Sequence, residues 1–307
     1  MIKVVGNKGI IGIIAIFIGV IAAGMLIEIE AVSTFSVSIM YSTLLNPKFT
    51  IISYILDLTL VLILALIVLR RHRHYSNTLL FGMLESNVTG FTSFFVFLML
   101  FAILIPQGVE NGGVYMYSVA LSIILIMLKN KYPQLRDLTT AVSSVGVGLV
   151  LGLNLTFGYA LFLLAIVAVY DYIGVFKTRE MMSLANAFSS HNSSFLISVS
   201  DLEAVPRWGF SSKEVAEYMK YLEETHDINK LKFRKILQNG KLPVVSQISL
   251  GEGDLGLPLM VAISAYFTFG NFFMSYAILV GSLLGLFAAT YALQRYRKPL
   301  PAIPPIF

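Results

Sequence analysis

Apolar residues run along this chain in long blocks separated by short polar breaks. A helix crossing a hydrocarbon core of about 30 Å needs about 20 such residues. The sequence offers eight stretches of this kind, at roughly 9–28, 50–69, 88–106, 113–128, 138–154, 157–176, 246–269 and 271–293. Segment 31–46 is apolar but rich in Ser and Thr, and it reads as an outer-side excursion. Almost nothing separates the fifth and sixth blocks (Asn154 to Gly158), which predicts a tight helical hairpin. The first block has a basic start but is too long for a signal peptide. It ends in Glu28 and Glu30 without a small-residue cleavage site, so it reads as a retained helix.

The longest polar stretch, 177–243, divides the chain into an N-terminal membrane bundle of six spans (1–176) and a C-terminal one (244–307). Ser211 and Glu214 have capping-box spacing and precede an amphipathic run to about Leu237, the pattern of a solvated surface helix or of a gating helix on the membrane surface. Charge sets the orientation. With the N-terminus inside, every lysine and arginine except Lys48 falls on the inner side. The N-terminus and the 177–243 loop are therefore expected in the cytoplasm.

Composition agrees: 57% of residues are apolar and 13% charged, with mean hydropathy +0.80, where a soluble domain carries about a quarter charged residues. The net charge of +5 follows from the inner loops, and no nucleic-acid partner is implied. With no cysteine, a disulfide framework, a thiolate metal site and a cysteine nucleophile are excluded. The four histidines (His72, His74, His191 and His226) all lie in polar segments. That leaves no HExxH zinc site and no histidine base within the membrane for a rhomboid-like serine protease. No metal or cofactor is expected. Two pairs with small-xxx-small spacing, Gly148/Gly152 and Gly281/Gly285, predict close helix packing.

An acid inside a span is costly, about 2.5–3.5 kcal/mol or more at the bilayer centre, and so asks for a function. Three qualify: Asp57, Asp171 and Asp254. Asp57 lies toward the outer end of its span and reads as structural or hydrated. Asp171 lies six residues before Lys177, about 9 Å from the inner end of the sixth span. Asp254 stands near the inner start of the seventh, in Gly251-Glu252-Gly253-Asp254. Consecutive antiparallel helices thus bring two acids to similar depth. Two adjacent carboxylates in low dielectric share one proton, so one activates water while the other hydrogen-bonds to a scissile carbonyl. Gly251 and Gly253 leave room for a substrate backbone beside Asp254. Glu252, adjacent to Asp254, points elsewhere on a helix and is expected to be solvated. Alone, Asp171 reads as well as a paired structural group or proton relay as it does as a catalytic acid; the Gly-x-Gly-Asp context of Asp254 favours catalysis.

Three motifs in order resemble the presenilin and signal peptide peptidase family of intramembrane aspartyl proteases. They are Tyr170-Asp171 with its continuation Ile173 to Thr178, Gly251-Glu252-Gly253-Asp254, and Pro301-Ala302-Ile303-Pro304, the last similar to the family's Pro-Ala-Leu. The resemblance implies an all-α, polytopic transmembrane helix bundle of the family's nine-helix type, here eight spans plus the start of the ninth. It implies an aspartic endopeptidase that cleaves transmembrane helices of membrane-protein substrates in the bilayer, without cofactor or metal. Asp171 and Asp254 would be catalytic, with Tyr170, Gly251, Gly253, Pro301, Ala302 and Ile303 supporting the site or binding substrate. The inferred orientation matches presenilin-like members, and the small loops resemble an archaeal or bacterial homologue. Two rivals remain at this point. One is a prepilin or preflagellin type leader peptidase, which shares Gly-x-Gly-Asp. The other is a proton-coupled secondary transporter using the same two aspartates, although no internal repeat supports it.

Overall fold

The computed structural model describes residues 7–34, 78–105, 113–132, 135–173, 195–206 and 241–296. The second predicted span with Asp57, the stretch from Ser211 to Leu237, and Pro301, Ala302 and Ile303 lie outside the described residues. The elements are α1 (Asn7–Thr34), α2 (Thr78–Leu104), α3 (Gly113–Lys131), α4 (Arg136–Asn154), α5 (Phe157–Ile173), β1 (Leu196–Pro206), β2 (Lys241–Gly251), α6 (Glu252–Phe269) and α7 (Phe272–Tyr296). α1, α2, α3, α4 and α7 are each long and apolar enough to cross a membrane, and α5 is a shorter apolar helix of 17 residues. Residues 31–34, read as the start of an excursion, continue α1. The third span begins ten residues before its expected start at 88.

The described residues are mostly helical, with one departure among them from the all-α expectation. β1 and β2 pair antiparallel, Leu196 opposite Gly251 and Pro206 opposite Lys241. The seventh span therefore does not begin at 246. Residues 246–251 finish β2, and the helix starts at Glu252. The physical reason lies in the ends of the strands that meet the bundle. Ile197 and Leu250 are buried in the same cluster as Ile13, Phe17, Leu255 and Leu259. A strand that runs into a bundle needs apolar residues as much as a helix does, so hydropathy alone joins the two.

α6 is the axis of the bundle. Every residue from Leu255 to Ala265 is buried, as expected of a helix apolar on all sides. Its neighbours touch it at successive levels. Gly256 faces Ser144 and Val147 of α4, Leu259 faces Gly148, and Ile263 faces Gly152, so α4 and α6 run parallel. The packing expected of Gly148 and Gly152 is thus observed: a Cβ on either would lie 2.6 Å from an α6 side chain. Gly281, of the other pair, faces nothing within 4 Å. α2 and α3 are antiparallel, with Glu85 beside Lys129, Gly90 beside Ile126 and Phe101 near Tyr117. α4 and α5 follow one another through Leu155 and Thr156 and both pack on α6, but they scarcely touch each other, so the tight hairpin expected there is not formed.

The periphery has the opposite character. Met116, Tyr117, Ile123 and Met127 of α3, and Phe273, Val280 and Leu284 of α7, expose large apolar surfaces. By contrast, α4 turns Thr139, Thr140, Ser143 and Ser144 inward, all fully buried. Apolar outside and small or polar inside is the arrangement for which lipid is the solvent.

Candidate active site

The site is set by α5 packed against α6. At the start of α5, the backbone N–H of Phe157 donates to the Thr268 hydroxyl at 3.0 Å, and the Phe157 and Phe269 rings meet edge-to-face with centroids 5.2 Å apart. α5 and α6 run antiparallel from this junction, packed through Ala160, Leu164, Leu257, Met260 and Val261. Asp171 is fourteen residues from Phe157 along α5, and Asp254 is fourteen residues from Thr268 along α6. At about 1.5 Å per residue both carboxylates stand about 21 Å below the junction, at one level. They are close enough for the charge of Asp171 to act on Asp254. Asp171 is 9% exposed, while Tyr170 beside it is 42% exposed.

The first turn of α6 is built to hold Asp254 with little around it. The Gly251 N–H donates to Asp254 Oδ2 at 3.0 Å, so the aspartate caps its own helix. The Glu252 N–H donates to the Phe195 carbonyl at 2.9 Å, carrying the sheet ladder into the helix. A Cβ on Gly251 would sit 3.2 Å from Asp254 Oδ2 and crowd it, whereas Gly253 is exposed with nothing within 4 Å. Pro258 lies inside the helix and lacks the N–H that would bond to the carbonyl of Asp254 four residues back. The aspartate therefore sits in a turn with open flanks and a weakened backbone ladder.

Glu252 corrects the sequence reading. It is buried, not solvated, and accepts a hydrogen bond from the Ser143 hydroxyl of α4. Ser143 in turn lies 2.6 Å from the Thr92 hydroxyl of α2. Glu85, paired with Lys129 at 2.6 Å, is near enough for its charge to act on Glu252. The expectation failed because the helix starts inside the bundle, under the polar face of α4. The spacing of Thr139, Thr140, Ser143 and Ser144 was the available signal that a polar partner waited there. The apolar flank of the site is closed by Leu255 and Leu257, both buried.

The sequence matches a family model described as signal-peptide peptidase, presenilin aspartyl protease over residues 12–306. None of the curated proteins matches it. A solved structure described as a presenilin family intramembrane aspartate protease in a C222 space group has the same fold. The TM-score is 0.51 at 19% identity, covering 96% of this chain and 91% of that one. Identity that low speaks for the fold, while the family model covers nearly the whole sequence. This multi-pass membrane protein belongs to the signal-peptide peptidase and presenilin aspartyl protease family, and it is an intramembrane aspartyl protease.

Proposed function

We propose that Asp171 and Asp254 are the catalytic pair of this protease and that its substrates are transmembrane helices. The observation that carries the reading is the level placement of the two acids on antiparallel, packed helices. In the reaction the pair holds one proton. The ionised carboxylate takes a proton from water as its oxygen attacks the scissile carbonyl carbon, and the protonated one gives its proton to the carbonyl oxygen. The tetrahedral intermediate then collapses, the amide nitrogen takes a proton, and the C–N bond breaks. Both roles belong to the pair rather than to either residue.

A substrate helix must first unwind, since its amides are internally bonded in lipid. The open flanks at Gly251 and Gly253 and the missing Pro258 N–H give an extended segment room beside Asp254. Tyr170, next to Asp171 and 42% exposed, is assigned to meet that segment by the resemblance of Tyr170-Asp171 to the family motif. Pro301, Ala302 and Ile303 are assigned to substrate positioning by resemblance alone. The charge distribution supports a cytoplasmic N-terminus and cytoplasmic 177–243 loop, and with it substrates whose own N-termini lie outside.

The test is cleavage of a labelled transmembrane peptide by the purified protein in detergent. Asp171→Asn and Asp254→Asn should each abolish cleavage while leaving the helical content and melting temperature close to wild type. Cleavage at the wild-type rate by either variant would remove the pair. Products cut at a basic leader boundary rather than within the apolar span would move the assignment to a leader peptidase.

A further inference from the structure

The first turn of α6 has unusually little to hold it. Residues 251, 253 and 256 are glycines, and Pro258 withdraws the backbone donor from the Asp254 carbonyl. Of the residues before Asp254, only Glu252 carries a side chain. It is buried, and the Ser143 hydroxyl of α4 donates to its Oε1. Ser143 is itself fully buried, and with its own hydrogen given to Glu252 it accepts one from the Thr92 hydroxyl of α2 at 2.6 Å. A glutamate in the interior of a bundle is thus fixed to two helices that do not carry either aspartate.

Helix geometry converts this anchor into an aim. Successive residues turn by about 100°, so Glu252 and Asp254 point about 200° apart, to nearly opposite sides of α6. Gly256, one turn above Glu252, lies on the same face and packs on Ser144 and Val147 of α4. With that face pinned to α4, Asp254 can face only away from it, where the charge of Asp171 reaches it. Without the anchor, the turn keeps its backbone tie to Phe195 and the Asp254 cap on Gly251, but no side chain before Asp254 fixes its rotation against α4.

We infer that Glu252 is a positioning residue: its carboxylate, held by Ser143, sets the rotation of the first turn of α6 and so aims Asp254 at Asp171. The inference rests on the assignment of those two aspartates as the catalytic pair. It differs from that assignment in predicting a graded loss of turnover rather than its abolition.

The test uses the full chain, purified in detergent, with kcat and KM measured on the labelled transmembrane peptide. Ser143→Ala and Glu252→Leu should each lower kcat by about tenfold or more with KM unchanged, the size expected for misplacement of a reacting group by a fraction of an ångström to 1 Å. Glu252→Gln can accept the same hydrogen bond through Oε1 and should keep wild-type kcat. That rescue separates the anchor from any role for the charge. Should Glu252→Leu fail to fold, Ser143→Ala, which deletes a single hydroxyl, carries the test with Glu252→Gln. Wild-type kcat in Ser143→Ala, or a loss in Glu252→Gln as deep as in Glu252→Leu, overturns the inference. Asp254→Asn in the same assay keeps the two ideas apart. If it is inactive while Ser143→Ala turns over normally, only the anchor fails; if it cleaves normally, the pair fails and the anchor with it.

Discussion

Gly148→Ala adds one methyl group at the contact between the two parallel helices of the core. That methyl would lie 2.6 Å from Leu259 Cδ2, 2.7 Å from its Cγ and 2.8 Å from its Cβ. Carbon atoms at rest sit about 3.5–4.0 Å apart, so the overlap is about 1 Å. A new rotamer of Leu259 cannot relieve it, because Cβ is fixed to the backbone. Toward α1, Leu259 already fills the gap left by Gly24, where an added Cβ would lie only 2.4 Å from its Cδ2, so it has little room to move that way. The helices must part, which in a packed core costs about 1–3 kcal/mol. Alanine also favours a helix over glycine by up to about 1 kcal/mol, and this would mask part of the loss. Gly281→Ala supplies the reference, since it makes the same change in a helix interior with nothing within 4 Å. The difference between the two variants isolates the packing cost. Followed by circular dichroism in detergent, Gly148→Ala should melt several degrees below Gly281→Ala, at roughly 2–4 °C per kcal/mol. Because α4 also carries Ser143, turnover should fall in the first variant and hold in the second. Equal melting temperatures would refute the claim that these glycines set the α4–α6 distance.

Three further outcomes are expected. Lys129→Met removes the cation from a carboxylate whose side chain is only 8% exposed, and should destabilise the bundle by about 3–5 kcal/mol; Lys129→Met with Glu85→Met should recover most of this, and a double variant no better than the single one in denaturant titration counts against the pair. Glu28 is fully buried with neither carboxylate oxygen hydrogen-bonded, so Glu28→Leu should raise the melting temperature by removing an unmet polar group, for which about 1–3 kcal/mol is usual; a fall would contradict the reading of Glu28 as an unsatisfied group. The chain has no cysteine of its own, so Lys3→Cys and Lys48→Cys give clean topology reporters. A membrane-impermeant maleimide added to intact cells should label only the second, and labelling of the first would invert the proposed orientation.

What the sequence revealed, and what it hid, follows from how membrane proteins encode their folds. Lipid demands long apolar blocks, so α1, α3, α4 and α7 could be read directly, and the cost of burying charge made Asp171 and Asp254 conspicuous. The same reasoning failed at 246–251, because an apolar strand that meets the bundle looks to hydropathy like the beginning of a helix. Its partner β1 was hidden in a polar loop, where Ile197 and Val199 alternate with serines over too few residues to stand out. The error at Glu252 was of another kind. Placing the helix start at 246 put Glu252 on the second turn of a span; beginning the helix at Glu252 makes it the first residue after a strand already inside the core. There a carboxylate must find a donor, and the inward hydroxyls of α4 supply one. Which turn of a helix an acid occupies therefore decides whether it meets water or a partner, and that depends on a strand boundary that no count of apolar residues can locate.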